Sequence, residues 1–405
     1  MAQQTTVAPI PAEGATGVKP RWWSFRIWTG MRAGTWWRMV ARHGFRISPS
    51  RLGQAASMLS IGPMCSAVAA VQRRKLGAAI GAETPPPVVF ILGHWRSGTT
   101  FLHELMGTDQ RFIAPTSLEC FATDHYLRWG DFLASLKWAI PAKRPMDDMA
   151  MGWHRPQEDE FALFAMGVPS PYDVMAFPND RPAIVPHLHV GDMRPAEQAA
   201  WKEALRTVVK RISYGRRRSL KPGEAMPSYV LLKSPTHTAR IGVLAEMFPD
   251  AKFVHIARDP YEVYSSTERL WRATFDSQGL QKADPAADLS SFILGTLPNM
   301  YRDFDRDVAR LAPGRWTELR YEDLVADPVG KVTAVADALG LGPLDDAPLA
   351  AHLAGVKGHR RNRHVMDPAL AARIRAEWVW YFERFGYGLT AARPAHPREG
   401  GDPSP

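Results

Sequence analysis

The sequence predicts an α/β fold, with a largely parallel central sheet covered by helices on both faces and an N-terminal helical arm ahead of it. Strand-like runs recur at Val88–Leu92, Tyr229–Leu232, Phe253–Ala257 and Trp316–Arg320, each followed by a loop and a helical pattern. That alternation builds right-handed βαβ units. Polar residues of chemical interest follow every one of these runs, at the carboxyl ends of strands, where open parallel sheets hold ligands. The first 85 residues share neither feature.

A length of 405 residues exceeds an average domain, but α/β chains often spend it on one domain with insertions, and 45% hydrophobic residues supply a core. The expected organisation is a disordered 1–20, a Trp/Arg-rich helical arm over 21–85, one α/β domain over 86–390 and a disordered Pro/Gly-rich tail over 391–405. The net charge of +9 suits an anionic ligand, nucleic acid or an anionic membrane and does not choose among them.

Met1–Pro20 is polar and small, a composition that does not fold. Next, Trp22, Trp23, Trp28, Trp36 and Trp37 alternate with Arg21, Arg26, Arg32, Arg38, Arg42 and Arg46. Indole rings and arginines together favour a membrane interface. An arm packed on the main domain with its arginines solvated is the other reading, and both stay open. Leu52 to Gln72 carries no charge and is long enough to span a bilayer. Its glycines and serines, and the pair Gly62-Pro63, predict instead one or two short helices begun after Ser48-Pro49. No compact apolar segment of a cleavable signal peptide is evident.

Val88–Leu92 leads into Gly93–Thr100, GHWRSGTT, which fits the phosphate loop G-x-x-x-x-G-K-[ST] except that Thr99 replaces the lysine. The domain is therefore expected to be a three-layer fold of the P-loop type. Without that lysine, ATP or GTP hydrolysis is disfavoured. The anion cradle persists in the two glycines, the backbone amides of Gly98 to Thr100 at a helix N-terminus, and Arg96 as a cation from the loop. After the helix comes Glu119 in APTSLECF. Glu158, Asp159 and Glu160 precede the apolar run Phe161–Met166, where acids ordinarily answer the helix dipole.

Arg216, Arg217 and Arg218 read as a solvated charge run in a surface loop; without zinc-finger or RNP-like patterns, nucleic-acid binding is not expected. The run Tyr229–Leu232 ends in Lys233, Ser234 and Pro235. After Phe253–Ala257 come Arg258, then Asp259 as an N-cap and Pro260 as first helical residue. Val263, Ser266 and Leu270 then share one helical stripe. Trp316–Arg320 leads into Tyr321, Glu322 and Asp323, and Gly358–His364 is a basic loop, GHRRNRH. Two cysteines, Cys65 and Cys120, give neither a disulfide framework nor a metal-ligand pattern, which fits a reducing cytosol. His237 and His255 read as turn and strand residues, and no metal is expected.

Arg96-Ser97-Gly98-Thr99-Thr100, with Arg258 and Ser266 eight positions apart after a later strand, resembles the signatures of sulfotransferases that use 3'-phosphoadenosine 5'-phosphosulfate. The resemblance spans roughly Val88 to Tyr387. It implies that the 96–100 loop holds the phosphosulfate and that Arg258 and Ser266 hold the 3'-phosphate. Tyr321 would lie near the adenine, and Arg360, Arg361 and Asn362 would close over the donor. Lys233 resembles the lysine-containing turn of tyrosylprotein-type members. Sulfuryl transfer then implies Arg96 and Lys233 as catalytic cations and a general base, open between Glu119 and Glu158, with no Mg²⁺ bridge. HWRSGTTFLHELM and the RISPSR-containing arm resemble a bacterial group that includes quinone-modifying members. That implies an acceptor hydroxyl on a lipid or quinone met at the cytoplasmic face of a membrane; carbohydrate, phenolic and peptidyl acceptors stay open. A P-loop kinase and a catalytically silent lipid-surface protein are the readings from other classes.

Overall fold

Five parallel strands form the sheet of the computed structural model, which describes residues 25–136, 152–181, 185–355 and 366–388. They are β1 (Val88–Leu92), β2 (Phe112–Ile113), β3 (Tyr229–Lys233), β4 (Lys252–Ala257) and β5 (Trp316–Arg320), in the order β2-β3-β1-β4-β5. Four of them are the runs that the sequence marks. The two-residue β2 is too short to leave a periodic signal. Residues 1–24 and 389–405, and with them Trp22, Trp23 and both termini read as disordered, lie outside the described residues, as do Arg360, Arg361 and Asn362.

Successive side chains of a strand point to opposite faces. Val88, Phe90 and Leu92 of β1 accordingly join one apolar core with Val230, Leu232 and Phe253. Val89 and Ile91 join a second with Leu231, Val254 and Ile256. Both faces are covered, hence the three layers. The second core is closed by α3 (Thr99–Met106) and by the helices Pro328–Ala338 and Asp346–Gly355, through Leu102, Leu105, Val332, Val335 and Leu349.

The N-terminal segment belongs to the first core. Trp28 and Trp36 are buried with their rings 5.0 Å apart, and the Trp28 indole N–H donates to the carbonyl of Gln278 at 3.0 Å. The arginines around them are held by the domain: Arg32 pairs with Asp124 at 2.6 Å, Arg42 with Asp173 at 2.8 Å and Arg46 with Asp180 at 2.8 Å. Helix α1 (Ala33–Arg42) packs on α2 (Leu52–Ala82), where Gly62 meets Ala33 and the Ala33 N–H donates to Ser66 Oγ at 2.9 Å.

Two expectations need correction here. Gly62-Pro63 does not divide the segment into short helices; α2 runs unbroken for 31 residues with Pro63 inside it. A stripe of Ala55, Met58, Gly62, Cys65, Ala69 and Gln72 is buried, and this packing offsets the roughly 3 kcal/mol that an internal proline costs. Arg216 to Arg218 form the last turn of the helix Pro195–Ser219 rather than a loop, with Arg217 paired to Glu83 at 2.9 Å. Cations in a last turn answer the dipole's negative end.

Candidate active site

The register of the sheet brings the marked residues together. Ile91 of β1 lies beside Lys233 of β3, Leu92 beside His255 of β4, and Ala257 of β4 beside Arg320 of β5. The loop after β1, Lys233, Arg258 and Tyr321 therefore meet at one edge.

The loop backbone is specialised. Gly98 caps α3 in the left-handed region at φ 104°, and a Cβ there would stand 2.3 Å from the Tyr321 ring. At Gly93, φ 142°, a Cβ would stand 2.6 Å from the carbonyl oxygen of Ile256. Arg96 adopts φ 69°, a conformation that costs a non-glycine residue of order 1 kcal/mol and that the surroundings must enforce. They do: Arg96 Nε donates to Ser266 Oγ at 2.7 Å, and Arg258 donates from Nη1 to the Arg96 carbonyl at 3.1 Å. The Arg258 guanidinium lies 4.5 Å from the centroid of the Tyr321 ring. Ser97 is buried and closes the turn by donating to the His94 carbonyl at 2.8 Å. Asp259 caps the helix Pro260–Gln278, accepting from the amides of Tyr261 and Glu262, which starts the helix where the sequence predicts and presents Ser266 to the loop. Bare glycine backbone at a helix N-terminus with two arginines converging on it fits a phosphosulfate and a phosphate.

The acidic trio does more than answer a helix dipole. Each acid is paired to the last residue of β3 or to the segment that follows it. Lys233 Nζ donates to Glu158 Oε1 at 2.6 Å and to Thr100 Oγ1 at 3.3 Å. Asp159 accepts from Ser234 Oγ at 3.0 Å and lies 2.7 Å from His237 Nε2. Glu160, at the start of the helix Glu160–Met166, accepts from Arg240 at 2.5 Å, from Thr236 at 2.8 Å and from Ser170 at 2.6 Å. Burial pushes the Asp159 carboxyl upward, but the His237 ring and hydrogen bonds from His237 and Ser234 hold it below its ordinary value. Removing one partner of a buried pair such as Arg240–Glu160 costs about 3–5 kcal/mol, so this network fixes the position of Glu158.

Tyr172 completes the arrangement, its hydroxyl donating to Glu158 Oε2. Burial and then the neighbouring Glu158 charge raise its pKa well above the usual phenol value, so it stays a donor. Nothing local in SPYD marks this tyrosine; only the fold brings it to Glu158.

Glu119 is placed elsewhere. Its Oε2 accepts from the Thr116 amide at 2.7 Å and the Thr116 hydroxyl at 2.9 Å, a capping box for α4 (Ser117–Phe121). Burial, against the pull of Thr116, raises its pKa. It does not line the cavity.

That cavity, of about 160 Å³, joins the two sets of residues. At one end stand Arg96, Gly98, Thr99, Thr100, Arg258 and Tyr321. Ile27, Trp95, Phe121, Phe161, Met175 and Leu270 form an apolar wall at the other, with Thr274, Ser277 and Gln278 beside them along one helix. Glu158 and Gln157 also line it. Ile27 comes from the N-terminal segment, tied in by its amide donating to Gln278 Oε1 at 3.0 Å. The wall draws on six separate segments, which is why sequence motifs do not disclose it.

A three-layer parallel sheet with this loop, these arginines and no loop lysine defines a sulfotransferase rather than a kinase, and the chain belongs to the sulfotransferase family: the family model matches residues 87–346. It is an enzyme of the class that takes its sulfuryl group from 3'-phosphoadenosine 5'-phosphosulfate. Among individual proteins, it is 36% identical over 385 residues to the omega-hydroxy-beta-dihydromenaquinone-9 sulfotransferase Stf3 of Mycobacterium bovis and, equally, of Mycobacterium tuberculosis, covering 93% of this chain and 96% of theirs. The fold is similar to two crystal structures. Sulfotransferase STF1 from Mycobacterium tuberculosis gives a TM-score of 0.59 at 15% identity, over 86% of this chain and 90% of that one. Sulfotransferase STF9 from Mycobacterium avium gives 0.58 at 16%, over 90% and 98%.

Proposed function

We propose that the enzyme sulfates the terminal hydroxyl of a hydrophobic acceptor, a hydroxylated menaquinone-like lipid, with Glu158 as general base. The observation that carries the reading is that Glu158 lines the cavity bound both to Lys233, which also reaches Thr100 of the loop, and to Tyr172, whose ring packs against Phe161 of the apolar lining. The name of the relatives at 36% identity supports the acceptor class. Cavities that enclose a whole drug-sized molecule run to roughly 300–1,000 Å³. A space of about 160 Å³ suits the reacting end of a long acceptor better than its entire length.

The residues divide the work by charge. Arg96, whose planar guanidinium presents a fork of N–H donors, acts as an electrostatic clamp on the sulfonate. Arg258 and Ser266 hold the 3'-phosphate, the Gly98 to Thr100 amides cradle the phosphosulfate, and Tyr321 borders the adenine. Lys233, between Glu158 and Thr100, offsets charge gathering on the leaving phosphate oxygen. Tyr172 and Lys233 each engage one carboxylate oxygen of Glu158, which fixes its orientation. As the acceptor oxygen bonds to sulfur and the sulfur–phosphate oxygen bond breaks, Glu158 takes the hydroxyl proton.

The test is acceptor competition. Purified enzyme, the sulfuryl donor and an equimolar mixture of a hydroxylated menaquinone, a long isoprenoid alcohol, a phenol and a sugar are followed by mass spectrometry. Preferential sulfation of the two apolar alcohols is expected. Preferential sulfation of the phenol or the sugar would overturn the acceptor class.

A further inference from the structure

The chain's positive charge has one source. Residues 21–82 contain ten Lys or Arg and no Asp or Glu, while the whole chain holds 50 basic and 41 acidic residues. The remaining residues therefore carry 40 basic against 41 acidic, close to neutrality. All of the net charge of +9 resides in the N-terminal unit.

The outer face of α2 belongs to that unit. Its inner face packs against α1, α5 (Tyr126–Ser135) and the helix Pro195–Ser219, while Leu52, Leu59, Met64 and Val71 are 53%, 63%, 45% and 43% exposed on the outer side. From Leu52 to Gln72 neither face carries a charge. A soluble helix ordinarily places charged residues outward. Trp37 of α1 and Phe45 just beyond it are exposed as well. Cations flank the helix: Arg46 and Arg51 lie before it, and Arg73, Arg74 and Lys75 are exposed in its last third.

We infer that the outer face of α2 is a docking surface for an anionic lipid bilayer, with the helix lying along the interface. An uncharged face bordered by arginines and a lysine joins apolar insertion to headgroup attraction. Charge selects the occupant, since a second copy of this chain would set one acid-free basic segment against another, whereas an anionic surface complements it. Packing selects the orientation. Although α2 is long and apolar enough to cross a membrane, its inner face is committed to the protein, with Gly62 against Ala33 and Gln72 buried. The tryptophans Trp28 and Trp36 take no part, being buried in the core. The surface is joined to the cavity by chain, because Ile27 precedes α1, on which α2 packs. It does not depend on the identity of the acceptor.

Sedimentation of the full chain with vesicles tests it. Phosphatidylcholine vesicles with and without phosphatidylglycerol are compared for the native protein, for Leu59→Glu with Met64→Glu, and for Arg73→Glu with Arg74→Glu. Calorimetric binding of adenosine 3',5'-bisphosphate controls for folding, as neither pair of substitutions touches the donor site. Native protein is expected to sediment with the anionic vesicles only, less so at high salt, and each double variant to bind about tenfold or more weakly with unchanged bisphosphate affinity. Equal binding to neutral vesicles, or undiminished binding of the Leu59/Met64 variant, would overturn the inference. So would a dimer in analytical ultracentrifugation that this variant dissolves, or resistance of the bound protein to alkaline carbonate, which marks a spanning helix.

Discussion

The two ends of the cavity are built on different principles. At the end proposed for the donor, backbone and cations predominate: Gly93 and Gly98 permit close approach, while Arg96 and Arg258 are locked by Ser266, a backbone carbonyl and the Tyr321 ring. The end proposed for the acceptor is a wall of apolar side chains from six segments, Ile27 to Leu270. Fixed dipoles stabilise charge that develops in a transition state, whereas apolar walls bind ground and transition states alike. Damage to Glu158 should therefore appear in turnover, damage to the donor end in donor binding as well, and damage to the wall in acceptor affinity.

Glu158→Gln should give the largest effect, a fall in kcat of about 10²- to 10⁴-fold, the usual contribution of a general base, with donor affinity preserved. Stopped assays at saturating donor and acceptor would check this. Gly98→Ala comes next. Its Cβ must displace the Tyr321 ring and stand at φ 104°, so bisphosphate binding measured by calorimetry should weaken by about tenfold or more and stability fall by roughly 1–3 kcal/mol. A smaller and different change is expected from Met175→Ala, with acceptor KM raised about tenfold, since one buried side chain is worth ~1.5 kcal/mol or more, and donor binding untouched. Equal effects of Gly98→Ala and Met175→Ala on donor binding would dissolve the distinction between the ends.

The smallest effect concerns pH and stability. Burial, and for His103 also Lys233, holds His94 and His103 neutral down to about 4 and about 3. Because these values lie below the ordinary 6.5, the unfolded chain binds more protons than the folded one in acid, so stability falls as pH drops from about 6.5 toward 4. Asp159, held below the ordinary carboxylate value, loses its contribution lower still. His103→Gln should flatten the decline of Tm between pH 7 and pH 5, measured by calorimetry.

The same contrast governs what the sequence discloses. Four strands, and the residues proposed here to hold the donor, are legible because each depends on a short contiguous pattern: a β-branched run, then a glycine, arginine or capped helix start. Arg96, Lys233, Arg258 and Tyr321 meet simply because adjacent strands of a parallel sheet end together. Long-range partners leave no such pattern. Tyr172, 14 residues from Glu158, and Ile27, some 250 residues from Gln278, are placed by tertiary packing alone. Local signals also mislead where packing overrides them. Pro63 does not end α2, because a buried stripe carries the helix through. Sequence leaves Glu119 and Glu158 both open as the base; tertiary structure separates them, with the first in a capping box and the second on the cavity lining beside Lys233 and Tyr172.

The comparison of those two glutamates is the most direct test. Single-turnover rates at saturating substrates would be measured for Glu158→Gln and Glu119→Gln alongside the melting temperature of each. The account predicts that Glu158→Gln slows the chemical step by about 10²-fold or more in a folded enzyme, whereas Glu119→Gln alters the melting temperature and leaves the rate within about twofold, as expected of a cap. A folded Glu119→Gln enzyme without turnover, beside an active Glu158→Gln enzyme, would contradict it.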